Sequence, residues 1–489
     1  MNDFYVFNKT VQGHSHITKN IQCEDSSISF KDENNLYYIF AISDGHGDKT
    51  CFRSDKGSKF ATEVTYECLK EFSDYYVQNP DKLYKRLENV EEQKQTIKQL
   101  TDTLICRWNE RIEEDIQQNT ISEQEIDTFC KDNVTAKEIY LKGERLNHIY
   151  GATLIAGLKI LNYLILIQQG DGRCILFDEN GDVSQPIPWD NRCESNVTTS
   201  MCDNDVFTSI RHKIIDLDQN PISACFVCSD GIEDSFIGME GTYSFFRKEC
   251  MDIIHNSKIF EEELPQTLSY TSANGSGDDM SVAGIVNTEA VTQLMSFFES
   301  KNKKYDLYNE QQKIKKLIDS KTRKHDILIK QKEEIDEGFN NISRGIQDLI
   351  NNIEEYTKSI QLIDEQISFF ENKIDELQNE TEEEYDNEVE TNLDNVLPFF
   401  GIIDKMVNSN KKIENDCEEQ IKDLLKDKEK ISAQLDEKTE LLNKYSEQFE
   451  QIKEQKEQFY DEFNEYDSTY NDLLEKYNNI SAQINDLEN

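Results

Sequence analysis

The 489-residue sequence predicts an α+β globular region followed by a long helical region. Up to about residue 290, short apolar runs bounded by Gly, Asp and Asn alternate with segments whose apolar residues recur at helical spacing. From Ile335 onward, apolar residues keep a strict 4,3 spacing instead. Composition agrees: 36% hydrophobic and 31% charged residues suit a globular domain joined to something long and rich in surface.

Phe4-Tyr-Val-Phe7 is the first expected strand, followed by Gly13-His-Ser-His16 and Gln22-Cys-Glu24-Asp25-Ser. The run Leu36-Tyr-Tyr-Ile-Phe-Ala-Ile42, β-branched and aromatic, is the second. Residues 57–77 and 83–115 place Phe60, Val64, Leu69, Leu104 and Trp108 on helical faces able to cover a sheet. Five further strands are expected at 151–158, 163–168, 173–177, 224–228 and 281–286. Strands, then two helices, then more strands make an α+β pattern with sheets buried by helices.

Acidic residues fall where these strands end. Asp44-Gly45-His46-Gly47 follows the second strand, Gly170-Asp171-Gly172-Arg173 follows 163–168, Ser229-Asp230-Gly231 with Asp234 follows 224–228, and Gly277-Asp278-Asp279 precedes 281–286. Each taken singly is an ordinary turn. Four at buried strand ends point to a shared carboxylate cluster, which repels itself unless hard cations such as Mg²⁺ or Mn²⁺ sit between the oxygens. His46 adds an acid/base group beside it.

The net charge of −44 excludes nucleic acid as a main partner, because no excess of Lys and Arg is available to displace counterions. Residues 301–489 carry 26 Lys+Arg against 47 Asp+Glu, so the acidity is shared along the chain and marks no separate tail. Twelve cysteines, mostly beside strand-like runs, are expected to be buried free thiols. The N-terminus shows no basic region followed by an apolar core, and no apolar run is long enough to span a membrane, so the cytoplasm is the expected compartment.

The motif series resembles the metal-dependent serine/threonine protein phosphatases of type 2C. It runs Gly13…Glu24-Asp25, Asp44-Gly45-His46-Gly47, Gly151-Ala-Thr153, Gly170-Asp171-Gly-Arg173, Ser229-Asp230-Gly231…Asp234, Gly277-Asp278-Asp279-Met280, and covers roughly residues 1–290. The His16…Cys23-Glu-Asp25 opening is similar to the bacterial-type branch. The resemblance implies a four-layer αββα sandwich of two antiparallel sheets flanked by helices, with two Mn²⁺ or Mg²⁺ ions and a third-metal position at one end. It implies that Asp44 bridges the two ions, that the Gly45 carbonyl, Asp230 and Asp278 complete the ligand set, and that Asp25 and Glu24 hold metal-bound waters. Asp171 and Asp234 match the third-metal position, and His46 matches the proposed general acid. The implied activity is hydrolysis of phosphoserine and phosphothreonine in proteins by a metal-activated water, without a covalent phosphoenzyme. An Arg often binds substrate phosphate in this family, and its position here is Asn20; His16, Lys19 and Arg53 are candidate replacements. Asp279 replaces the usual Asn and is expected to add negative charge for the metals.

The second half follows another pattern. Thirteen apolar or aromatic positions run from Ile335 to Leu377 without a miss, and fourteen run from Leu442 to Leu487 with one polar member, Lys456. A 3.5-residue repeat sustained this long predicts a coiled coil. Pro398 and Gly401 interrupt it, so residues 300–489 are expected to form an antiparallel hairpin with arms 300–378 and 411–489 and a tip at 379–410. That arrangement sets Phe459–Tyr477 against residues near 312–330, where Lys321, His325 and Lys332 lie on the stripe. Its expected partner is a protein bound through the tip, or a second copy if the arms pair between chains; the phosphatase-like region itself would take a phosphoprotein. The competing reading is a catalytically silent phosphatase-like scaffold whose coiled coil recruits partners.

Overall fold

The computed structural model describes residues 3–193, 197–356, 372, 374 and 431–487. It divides into two compact units, Met1–Leu307 and Tyr308–Asn489. The expected tip at 379–410 lies outside the described residues.

The first unit holds two five-stranded antiparallel sheets. One has the order β1 (Phe4–Val11), β10 (Met280–Asn287), β9 (Ile222–Cys228), β6 (Arg173–Asp178), β7 (Val183–Ser184). The other has the order β2 (Ser26–Lys31), β3 (Tyr37–Ser43), β4 (Leu154–Ile160), β5 (Tyr163–Gln169), β8 (Arg211–Asp216). The two faces of β3 show why its sequence is a continuous apolar run. Tyr38, Phe40 and Ile42 enter the core shared with Ile155, Leu166, Val227 and Ile285 of both sheets. Tyr37, Ile39 and Ala41 face α2 (Ser54–Val77) and α4 (Val90–Gln118), where Val64, Leu104 and Trp108 are buried. A strand buried on both faces has no polar positions to alternate. Opposite Phe40, a Cβ on Gly157 would fall 2.0 Å from the ring, so this glycine makes the ring's space.

The outer face of the first sheet is covered by α9 (Met239–Asn274), through Phe246, Ile253, Leu264 and Leu268, and by the start of α10 (Thr288–Tyr356), through Val291 and Phe298. Helix, sheet, sheet, helix is the expected four-layer αββα sandwich. Cys225 and Cys228 illustrate strand alternation: Cys225 enters the core between the sheets, whereas Cys228 faces α9. Among the described residues, eleven cysteines are free thiols, most of them buried. The sequence analysis missed β2, β8 and α9. The first two are edge strands with polar residues on the pattern, and α9 carries Pro265 and a non-helical Asn256 that interrupt its period.

The second unit pairs α10 beyond Tyr308 with α11 (Ile431–Asp486). Gln311 bonds Ser481 at 2.7 Å, Thr322 meets Tyr470 at 3.1 Å, His325 meets Asp467 at 2.6 Å and Lys456 meets Asp336 at 2.7 Å. Numbers rise along one helix as they fall along the other, so the pair is antiparallel within one chain. Polar residues on the stripe are accommodated by aromatic rings. His325 stacks on Tyr470 at 4.1 Å, Lys324 lies 4.7 Å from the Tyr466 ring and Lys332 4.6 Å from the Phe463 ring. Among the described residues, no helix is long and apolar enough to cross a membrane.

Candidate metal centre

Asp44 is the first residue beyond β3, and its backbone is held from both sides by Thr153. Its N–H donates to Thr153 Oγ1 at 3.0 Å, its carbonyl accepts from the Thr153 N–H at 2.8 Å, and the neighbouring Ser43 hydroxyl donates to the Thr153 carbonyl at 2.5 Å. The Gly-Ala-Thr motif therefore positions the Asp44 loop and supplies no ligand. Gly45 donates to the Glu24 carbonyl at 3.1 Å, and a Cβ there would lie 2.6 Å from that oxygen, so only glycine fits. His46 donates its N–H to the Gly151 carbonyl at 3.1 Å and lays its ring over Gly151.

The Asp230 and Asp278 loops are joined beside it. Ser229 N–H donates to the Ser281 carbonyl and Ser281 N–H to the Ser229 hydroxyl, both at 3.0 Å. Asp279 is 3% exposed and acts as a hub. Its oxygens accept the Gly13 N–H at 2.6 Å and the Glu24 N–H at 2.7 Å, and His16 Nδ1 lies 3.0 Å away. These bonds tie it to the Gly13–Glu24 segment, while its charge also acts on Asp25. Glu24 in turn accepts from Ser54 at 2.7 Å.

Asp25 lies against Asp44, and Asp44 against Asp230. Each residue is partly exposed, yet enough protein surrounds the carboxyl groups for burial to be the largest influence on their protonation. Burial first, then repulsion from Asp25 and Asp230, holds Asp44 well above the usual carboxylate range. Burial and Asp279 do the same to Asp25, one of whose oxygens is buried without a hydrogen-bond partner. Asp230 is pushed up to about 6 by burial and by Asp171. Burial also raises Glu24 and Asp234, the latter opposed by Arg173. Burial lowers His46, against the pull of Asp171, Asp203 and Asp48.

Among the described residues, no three His, Cys, Asp or Glu groups already converge tightly enough to ligate an ion. Asp25 meets Asp44, and Asp44 meets Asp230, as like-charged neighbours. The donor set nonetheless fits hard divalent cations: it is all oxygen, anionic, partly desolvated, and includes one orphaned carboxylate oxygen.

The three phosphate candidates fare differently. Arg53 is buried and committed to the Asn119 carbonyl at 2.7 Å, Tyr150 at 2.9 Å and Glu125 at 3.1 Å, so it ties helices together and cannot meet a substrate. His16 sits between Asp278 and Asp279, at 3.5 and 3.0 Å. Lys19 is exposed on α1 (His14–Lys19). Gly172 stands where a serine is usual; a Cβ there would lie 2.4 Å from the Cys228 carbonyl.

The profile of the family described as Protein phosphatase 2C matches residues 12–269. No curated protein matches the chain. Among solved structures, a bacterial serine phosphatase is 16% identical with a TM-score of 0.33, the match covering 58% of this chain and 98% of that one. The serine/threonine phosphatase Stp1 from Staphylococcus aureus is also 16% identical with a TM-score of 0.33, covering 58% and 95%. PppA from Pseudomonas aeruginosa is 13% identical with a TM-score of 0.32, covering 58% and 97%.

Proposed function

The chain belongs to the protein phosphatase 2C family, and on that premise we propose that it removes phosphate from phosphoserine and phosphothreonine in proteins at the cleft around Asp44. The observation that carries the proposal is the set of like-charged, desolvated carboxylates Asp25, Asp44 and Asp230 with His46 beside them. Asp44, the Gly45 carbonyl, Asp230 and Asp278 would hold two ions, with Asp25 and Glu24 behind them and Asp171 and Asp234 at a third position. Mn²⁺ or Mg²⁺ there would supply the charge that acidifies water and screens phosphoryl oxygens.

The protein's own groups do the rest. Thr153 and Ser43 hold the Asp44 loop, and Asp279 fixes the backbone of Glu24, so both carboxylates are oriented before any ligand arrives. His46 is assigned the proton for the leaving serine or threonine oxygen. Burial keeps its ring neutral, and a phosphate dianion entering beside it adds to the pull of Asp171, Asp203 and Asp48 and favours protonation. The helix pair of Tyr308–Asn489 is assigned as a coiled-coil arm that regulates or localises the enzyme. Full-length protein incubated with MnCl₂ and a panel of phosphoserine and phosphothreonine peptides should release phosphate and stop on adding EDTA. Absence of release from every peptide at saturating manganese would refute the enzymatic reading.

A further inference from the structure

In the first unit, Arg53, Arg107, Arg173, Arg192, Arg211 and Arg247 are each set against a carboxylate, as expected in so acidic a chain. Arg86 and Arg145 have no such carboxylate partner among the described residues, and of these two Arg145 is held by a neighbouring side chain. Its guanidinium has only His148 as a hydrogen-bond partner among the described residues, with Nε 3.1 Å and Nη2 2.8 Å from His148 Nε2. Arg145 is exposed, and it holds the left-handed backbone region, φ 52° and ψ 36°, costly for a residue with a side chain. Strain of this kind at an exposed charge points to a use for that charge.

The pair stands beside His46. The 3-10 turn Leu146–Tyr150 carries His148, whose carbonyl accepts the Gly151 N–H at 3.1 Å. Gly151 accepts the His46 N–H at 3.1 Å, and its absent Cβ would touch both the His46 ring, at 2.6 Å, and the His148 carbonyl, at 3.2 Å. Burial first, then the Arg145 charge, lowers His148, so it receives the guanidinium as a neutral acceptor. Arg145 Nη1 then has no partner among the described residues, and its N–H groups remain available to an anion.

His46 serves the leaving oxygen in the function proposed above. Groups packed beside His46 are therefore placed to meet the remainder of the leaving group, which is the peptide. We propose, resting on that reading, that Arg145, oriented by His148, binds an acidic side chain flanking the phosphorylated residue, so that the phosphatase selects acidic phosphopeptides. A guanidinium suits this role because its planar fork matches a carboxylate and stays charged at any working pH. In a chain of net charge −44, the general field repels such peptides, so the preference needs a local cation.

The test uses full-length protein and three phosphothreonine peptides of one sequence whose flanking residues are Glu, Ala or Lys. Phosphate release with manganese gives kcat/KM, and anisotropy of the labelled peptides in EDTA gives binding without turnover. The wild type should prefer Glu over Ala flanks by roughly tenfold, mostly in KM and Kd. Arg145→Ala should bring that ratio to about one, Arg145→Glu should shift preference to the Lys-flanked peptide, and His148→Ala should reduce the ratio partway. No preference in the wild type, or a preference unchanged in Arg145→Ala and Arg145→Glu, overturns the proposal. Loss of all turnover with the binding preference retained would instead remove the phosphatase reading and leave the acidic-peptide site standing. Circular dichroism of each variant separates these outcomes from misfolding.

Discussion

In Met1–Leu307 the desolvated carboxylates Asp25, Asp44 and Asp230 face one another, whereas in Tyr308–Asn489 His325 faces Asp467 and Lys456 faces Asp336. Like charges brought together repel, so the first arrangement costs stability and fits the cation site proposed above. Opposite charges on a helix stripe satisfy each other, so the second arrangement needs no ligand and fixes which residues meet. The sign of the neighbour thus separates function from structure where burial alone does not.

The largest expected effect follows from removing one like charge. Asp44→Asn or Asp230→Asn should lower phosphopeptide turnover by about a hundredfold or more, since each removes an anionic ligand. The same variants should raise the melting temperature of EDTA-treated protein, because the burial of a carboxylate among like charges is relieved. Calorimetry on metal-free protein checks the sign, and a lower melting temperature would show that these carboxylates are structural. His46→Ala comes next, with about a hundredfold loss on a phosphothreonine peptide and a much smaller one on nitrophenyl phosphate, whose leaving group needs no proton. Equal losses on the two substrates would make His46 a structural group.

Glu249 of α9 is a third case, a buried acid raised to about 8 by burial and then by Asp252, with Lys248 opposing. Its folded value lies above the unfolded one, so the stability it contributes is complete below the ordinary glutamate range and is lost as pH rises through about 8. The wild type should therefore lose more stability between pH 5 and 8 than Glu249→Gln, by roughly 2 kcal/mol. Parallel urea titrations at the two pH values measure the difference, and identical slopes would place Glu249 in a polar environment.

In the helix pair, breaking a hydrogen-bonded contact should destabilise where breaking a like-charge contact stabilised. His325→Ala or Asp467→Ala should each cost about 1–2 kcal/mol, and a double-mutant cycle should give less than additive loss, since Asp467 is partly exposed. Additive losses would mean the two side chains do not interact. The smallest perturbation probes register alone. Cysteines replacing Gln311 and Ser481 should cross-link within one chain at any protein concentration, given their 2.7 Å contact. Cross-links solely between chains would replace the antiparallel pair with a dimer.

How far these features could be read beforehand depended on whether they are local. Strands such as β3, β4 and β9 were legible because burial on both faces makes them unbroken apolar runs. Edge strands β2 and β8 were not, because half of their pattern is polar, and α9 was hidden by its kink at Asn256. Asp44, Asp230 and Asp278 stood out as acids at strand ends. Arg53 was misjudged, and the backbone bonds of Asp279 were not foreseen, because their partners, Asn119 and Glu125 for the first, Gly13 and Glu24 for the second, come from distant segments. Arg145 carries no motif, and its contact with His148 and its left-handed backbone exist only in the folded chain.

The central claim, that the like-charged cluster is a cation site, is tested most directly by titrating metal-free full-length protein with Mn²⁺ and following the free ion by electron paramagnetic resonance. Wild type should bind at least two Mn²⁺ ions saturably and with release of protons, because Asp25, Asp44 and Asp230 hold protons above the usual carboxylate range. Asp44→Asn should lose that binding. Saturable binding unchanged in Asp44→Asn, or none in the wild type, would contradict the account.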